Sequence, residues 1–242
     1  MQDCTSIRTP IATSSTTCID DDEPVDATEY RGLVGSLQYL TFTRPDITYA
    51  VNHACQHFQA PNKAHMRVVK RILRYLKGTI HYGLRFLSQS SLTLYGFSDS
   101  DWAGCSATRR STTGYNIYLG ANLVSWCSKR QNTVARSSTE AEYRALASTA
   151  AEVTWITYLF QDIGLPMTRT PLLLGDNMSA LHLTKNLLFH ARTKHIEMDY
   201  HFVREKVSQG SLDIRHVPSH QQMADVFTKP LSKQPFVTLD TS

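Results

Sequence analysis

Leu92-Thr-Leu-Tyr-Gly-Phe-Ser-Asp99 alternates its side chains in the two-residue manner of a strand, and it ends on a carboxylate. Two further strand-like runs follow, about 114–119 and 123–128, joined by Gly120-Ala121-Asn122, which is hairpin chemistry. The period then changes. About Thr139 to Asp162 reads as a long amphipathic helix, closed by Gly164 and Pro166. A short apolar strand at 171–175 leads to a helix from about Asn177, another helix covers about Asp199 to Ser208, a strand lies near 212–217, and a short helix lies near 221–229. Three consecutive strands followed by alternating elements predict an α/β domain with a mixed five-stranded sheet and helices on both faces.

Upstream the pattern is helical throughout. Tyr30, Leu33, Val34, Leu37 and Leu40 recur at helical spacing within about Thr28–Thr43; Pro45 and Asp46 break that segment, and Asp46 can cap the next. The second helix carries Ile47, Ala50, Val51 and Ala54 and ends near Pro61. The third, about Lys63–Lys77, sets Val69, Ile72, Leu73 and Leu76 against a stripe of Arg67, Lys70, Arg71, Arg74 and Lys77, and Gly78 stops it. The expected organisation is a loose leader over 1–25 with the acidic run Asp20–Glu23, a small helical segment over 26–80, the α/β domain over 88–232 and a flexible tail over 233–242.

Bulk properties narrow the function classes. The chain has 242 residues, of which 41% are hydrophobic and 19% charged, which is ordinary globular material. A net charge of +4 permits nucleic-acid binding without arguing for it. Five cysteines at no CxxC spacing read as free thiols in a reducing compartment. No apolar run approaches the roughly 20 residues of a membrane span, and no targeting signal is visible. No phosphate-cradling glycine loop is present, which argues against an ATPase, and no Tyr-x-Asp-Asp is found, which argues against polymerisation. His190, His195, Asp199 and His201 cluster in sequence but match no structural zinc spacing.

Four acids stand at strand ends or in first helical turns: Asp99, Glu142, Asp176 and Asp225. Metal-assisted phosphodiester hydrolysis needs several hard oxygen ligands converging on one point, held by such rigid positions. Each also has a plainer role. Thr139-x-x-Glu142 is a capping box, Asp176 a helix cap, Asp225 a favourable first-turn charge, and Asp101 stands on the same strand face as Asp99.

GFSDSDWAG (96–104), TRRSTTGY (108–115), VSWCSKRQNTVARSSTEAEYRAL (124–146), LLGDNMSAL (173–181), RTKHIEMDYHFVREK (192–206) and HVPSHQQMADVFTKPL (216–231), in this order, resemble the ribonuclease H domain of copia-type retrotransposon Pol polyproteins. YRGLVGSLQYLTFTRPDITYAV (30–51) and RILRYLKGT (71–79) resemble the segment connecting reverse transcriptase to that domain. The resemblance implies a ribonuclease H-like fold and an endonuclease that hydrolyses the RNA strand of RNA–DNA hybrids with two Mg²⁺, for which Mn²⁺ may substitute. It assigns the metal ligands, in the order Asp, Glu, Asp, Asp, to Asp99, Glu142, Asp176 and Asp225. It makes His220, on the loop before the last acid, the candidate for proton or product release. An integrase-type nuclease would want Asp, Asp, Glu, which is not the order here.

Substrate contacts are expected from hydroxyl and amide groups near the acids that can feel 2′-hydroxyls: Ser100, Ser138, Thr139 and Asn177. Phosphate contacts are expected from Arg109, Arg110, Lys129 and Arg130, and the stripe on the third helix is a candidate track for the duplex. Trp102 and Trp126 are candidates for stacking or for the core. The implied partners are the RNA–DNA hybrid and the reverse transcriptase polymerase domain, with no membrane and no small-molecule cofactor. Cytoplasmic particles or the nucleus are the compartments open to such a protein. The alternative reading is a truncated retroelement remnant that folds and binds nucleic acid without a catalytic role.

Overall fold

A computed structural model describes residues 4–12, 22–185 and 196–230. The histidines His190 and His195, the expected tail and Cys18 lie outside the described residues. The chain divides into two compact units, Met1–Leu84 with Lys229–Ser242, and Arg85–Thr228.

The smaller unit packs three helices, α1 (Ala27–Leu40), α2 (Thr48–Cys55) and α3 (Lys63–Gly78). Their apolar stripes meet in one core of Tyr30, Val34, Leu37, Ile47, Val51, Val69, Ile72 and Tyr75. Asp26 caps α1 by accepting from the Thr28 amide, and Asn62 caps α3 by accepting from the His65 amide. Asp46 does not cap α2 as its position suggested. Its carboxylate instead takes two bonds from the buried Arg44 guanidinium, at 2.7 and 2.9 Å, and one from the Tyr75 hydroxyl at 2.7 Å. Arg44 also donates to the carbonyl and hydroxyl of Thr79, so the buried charges are paired and their hydrogen bonds satisfied together.

The basic stripe of α3 has a use that its spacing does not reveal. Arg71 donates to the Thr9 hydroxyl, Arg74 to the carbonyl and hydroxyl of Thr5, and Lys77 to the Cys4 carbonyl. Residues 4–9 thus lie along α3, with Ile7 and Ile11 packed on the core. Arg67 and Lys70 remain exposed.

The larger unit is an α/β layer structure. Its strands are β1 (Leu94–Asp101), β2 (Thr112–Leu119), β3 (Asn122–Arg130), β4 (Leu172–Gly175) and β5 (Asp213–His216), in the spatial order β3-β2-β1-β4-β5. β1, β2 and β3 form an antiparallel meander, and β4 and β5 add parallel to β1. Helices α4 (Ser138–Asp162), α5 (Met178–Lys185) and α6 (Glu197–Ser208) complete it. This is the expected mixed five-stranded sheet with flanking helices, preceded in the chain by a helical segment.

Alternation along β1 sends Leu94 to a core shared with α4 (Tyr143, Leu146, Ala150, Val153) and Phe97 to the opposite face, with Tyr118, Val217 and Ala224. Two boundaries differ from expectation. β1 runs on to Asp101, so Asp99 lies inside the strand, because the pairing with β2 continues through Asp101 and Thr112. The expected helix at 221–229 is a pair of 3₁₀ turns, Ser219–Gln221 and Met223–Phe227. Gln222 interrupts the stretch in extended backbone (φ −73, ψ 99) and splits it into two short turns. Among the described residues no disulfide forms, and no helix is long and apolar enough to cross a membrane.

Candidate metal centre

The sheet reverses direction of growth at the β1/β4 pair: β2 and β3 lie on one side, β4 and β5 on the other. A crevice opens beyond the carboxyl ends of parallel strands at such a point. The β1/β4 register pairs Ser98 with Gly175, so the next residues, Asp99 and Asp176, emerge side by side. Glu142 comes from the start of the second turn of α4. Carboxylate oxygens of Asp99, Glu142 and Asp176 lie within 4.8 Å of one another, and this is the one such group among the described residues. Asp99 is buried, while Glu142 and Asp176 are half-buried.

Two of the plainer roles for these acids belong to neighbours. Ser137 caps α4, accepting from the Glu140 amide at 3.2 Å, and Glu140 accepts from the Arg136 amide at 2.9 Å and pairs with Arg144. The cap expected at Thr139 therefore lies two residues earlier, at Ser137, with the Glu140 carboxylate taking the amide of the preceding Arg136. Asn177 caps α5, accepting from the Ala180 amide at 3.0 Å. Asp176 instead accepts from the Ser219 hydroxyl at 2.8 Å.

Asp225 sits half-buried in the second 3₁₀ turn, outside the trio. The same turn bears on the site through residues that sequence reasoning missed. The Thr228 hydroxyl donates to Asp99 Oδ2, and Gln222 donates to the Ser98 carbonyl at 2.9 Å. The turn fits against β2 only because residue 114, paired with Asp99, is glycine. A Cβ there would lie 2.5 Å from Thr228 Cγ2 and 2.9 Å from Phe227 Cβ. A lone glycine within a strand is the sequence signal for such a close approach.

The remaining candidates divide by exposure. His220 is exposed, next to Ser219. Ser100 is buried in the sheet, and the side-chain oxygen of Asn177 accepts from the Ala180 amide. Ser138 is exposed at the first residue of α4, and Thr139 is half-buried. Arg109, Arg110 and Lys129 are exposed, and Arg130 is half-buried. Arg130 contributes to a set of hydrogen bonds on the Cys105 thiol: burial raises that group, but bonds from Thr108, Arg130 and the Ala107 backbone bring it down to about 7. Lys129, Arg130, Gln131 and Arg144 line a polar groove of about 340 Å³ with Asp199, whose carboxyl is pushed up by burial against the opposing pull of Arg144. His201 is exposed and joins no metal-binding group among the described residues.

A donor set of three carboxylates consists of hard oxygens alone, which suits Mg²⁺ or Mn²⁺ rather than a nitrogen- and sulfur-seeking ion such as Zn²⁺. No protein-family model matches the chain. It is 48% identical over 231 residues, 95% of its length, to the Retrovirus-related Pol polyprotein from transposon RE1 of Arabidopsis thaliana. It is 38% identical over 221 residues to that from transposon TNT 1-94 of Nicotiana tabacum. It spans 16% of the length of each of these relatives. Among solved structures, LC11-RNase H1 from compost aligns at a TM-score of 0.43 and 14% identity, over 57% of this chain and 93% of that one. With ordered motifs along the chain and near-complete coverage by such relatives, the chain belongs to the copia-type retrotransposon Pol polyproteins.

Proposed function

We propose that the larger unit is a divalent-metal-dependent endonuclease that hydrolyses the RNA strand of RNA–DNA hybrids. In this reading the smaller unit is the connection from the end of reverse transcriptase, and the biological task is removal of template RNA during reverse transcription. The observation that carries the proposal is the convergence of Asp99, Glu142 and Asp176 within 4.8 Å where β4 ends beside β1. Family membership supplies the substrate class.

Asp99, Glu142 and Asp176 would hold the cation, with Asp225 completing the site for a second. When bound, two such ions supply charge stabilisation at the phosphate and activation of water. The protein's own part is positional. Thr228 and Ser219 fix the carboxylates of Asp99 and Asp176 by donating to one oxygen of each. The Ser137–Glu140 cap sets the first turn of α4 and hence the direction from which Glu142 approaches. His220, exposed beside Ser219, would carry protons between solvent and the site. Arg109, Arg110, Lys129 and Arg130 would contact backbone phosphates, and Ser138 and Thr139 the sugar edge.

The test is cleavage of labelled RNA in three contexts: paired with DNA, paired with RNA, and single-stranded, each with Mg²⁺ or Mn²⁺. Cutting confined to the RNA–DNA hybrid is expected. Equal cutting of all three would refute the hybrid specificity, and no cutting by folded protein would refute the activity of this chain.

A further inference from the structure

Trp102 lies three residues beyond Asp99 and is 47% exposed, yet its indole is not loose. Its Nε1 donates to the Ala135 carbonyl at 3.1 Å, and Ala135 is buried just ahead of the α4 cap Ser137. The indole edge therefore ties the end of the strand bearing Asp99 to the loop entering the helix bearing Glu142. The backbone around it is tightly folded. Ala103 adopts φ 55 and its amide is held by the buried Ser111 hydroxyl at 3.1 Å. A Cβ at Gly104 would lie 1.6 Å from Asp101 Oδ2, so the Asp101 carboxylate occupies the space a side chain would need. An aromatic ring pinned at one edge and about half open to solvent presents a pre-oriented face. Arg136 directly follows Ala135, and Arg109 and Arg110 lie just before Thr112, the strand partner of Asp101; all three arginines are exposed. Cations interleaved with an aromatic are the surface chemistry that nucleic acid meets.

We propose that Trp102 is a substrate-contact residue, packing its exposed indole face on a sugar of the RNA–DNA hybrid beside the cut. This rests on the nuclease reading above. Bases within a duplex are stacked on one another, which leaves the sugars along the minor groove as the apolar surface such a ring can cover. The contact carries no charge and touches no metal-binding acid. Its loss raises KM, leaving kcat and the Mg²⁺ dependence of cleavage as they were.

The competing role is a staple alone, in which the Nε1 bond to Ala135 matters and the ring face does not. Trp102→Phe keeps the face and removes the donor, whereas Trp102→Leu removes both. Trp102→Met replaces the latter if leucine is not tolerated, and Trp155→Leu, at an exposed tryptophan of α4, is the control. Ring contacts to nucleotides are worth about tenfold or more in affinity by truncation. KM for the hybrid is therefore expected to rise about tenfold in Trp102→Leu, with kcat within about twofold, and to change less than about threefold in Trp102→Phe and Trp155→Leu. A Trp102→Leu KM equal to wild type overturns the assignment while leaving the nuclease standing. So does a Trp102→Phe as impaired as Trp102→Leu, which would make the residue a staple. A folded wild type that neither binds nor cuts any hybrid removes the nuclease reading and this assignment together.

Discussion

Asp99 depends on a residue far away in sequence. Thr228 donates to its Oδ2 from a turn seated on Gly114. Replacing the hydroxyl by a methyl in Thr228→Val should lower hybrid cleavage by about tenfold or more, the usual effect of removing a group that orients a metal-binding carboxylate. Thr228→Ser should restore most of it. Gly114→Ala should reach the same end by another route. Its methyl displaces the turn and costs about 1–3 kcal/mol by overpacking, and thermal melts together with cleavage rates would show both losses. The acids were expected from their places near strand ends and helix starts, where rigid ligands occur, and the fold brings three of the four together. The Thr228 contact was not, because it joins residues that only the folded sheet brings together. Asp225 illustrates the same limit. Its place in the motif order is plain, but its position relative to the trio follows from the path of the 3₁₀ turns.

Elements show where periodicity suffices and where it fails. Long amphipathic stretches such as α3 and α4 were readable from spacing, because burying one face of a helix imposes a repeat on the sequence. The strands were readable from alternation and turn chemistry. The 3₁₀ turns have too few residues for a period, and the cap of α4 was displaced because Ser137, Ser138 and Thr139 are all competent caps. At the start of α3 the cap makes a pH prediction. His65 Nδ1 accepts from the Asn62 amide at 3.1 Å, closing a reciprocal capping box, and the ring stacks on His57 with centroids 3.6 Å apart. Acceptance requires the neutral ring. Burial lowers the His65 pKa against the opposing influence of Asp22. A base with a lowered folded-state pKa binds fewer protons folded than unfolded, so stability rises with pH across that window. The stabilisation is complete above the ordinary histidine range near 6.5 and is lost as pH falls toward the folded value. His65→Gln keeps an acceptor without titrating. Its melting temperature should therefore fall less than that of wild type between pH 7.5 and 5.5, and equal falls would refute the role.

For the whole molecule, the class and the motif order were legible because they are distributed over most of the chain. The engagement of Arg71, Arg74 and Lys77 with residues 4–9 was not. A basic stripe looks the same in sequence whether it faces a phosphate backbone, solvent or its own chain. The proposed function turns on whether Asp99, Glu142 and Asp176 form a working metal centre. The most direct measurement is Mg²⁺- or Mn²⁺-dependent cleavage of a labelled RNA–DNA hybrid by this chain beside its Asp99→Asn variant, with melting curves to show that both are folded. Metal-dependent cutting of the RNA strand by wild type, reduced at least about a hundredfold in Asp99→Asn, is the predicted result. Equal cutting by a folded Asp99→Asn protein, or hybrid cleavage that persists in excess chelator, would contradict it.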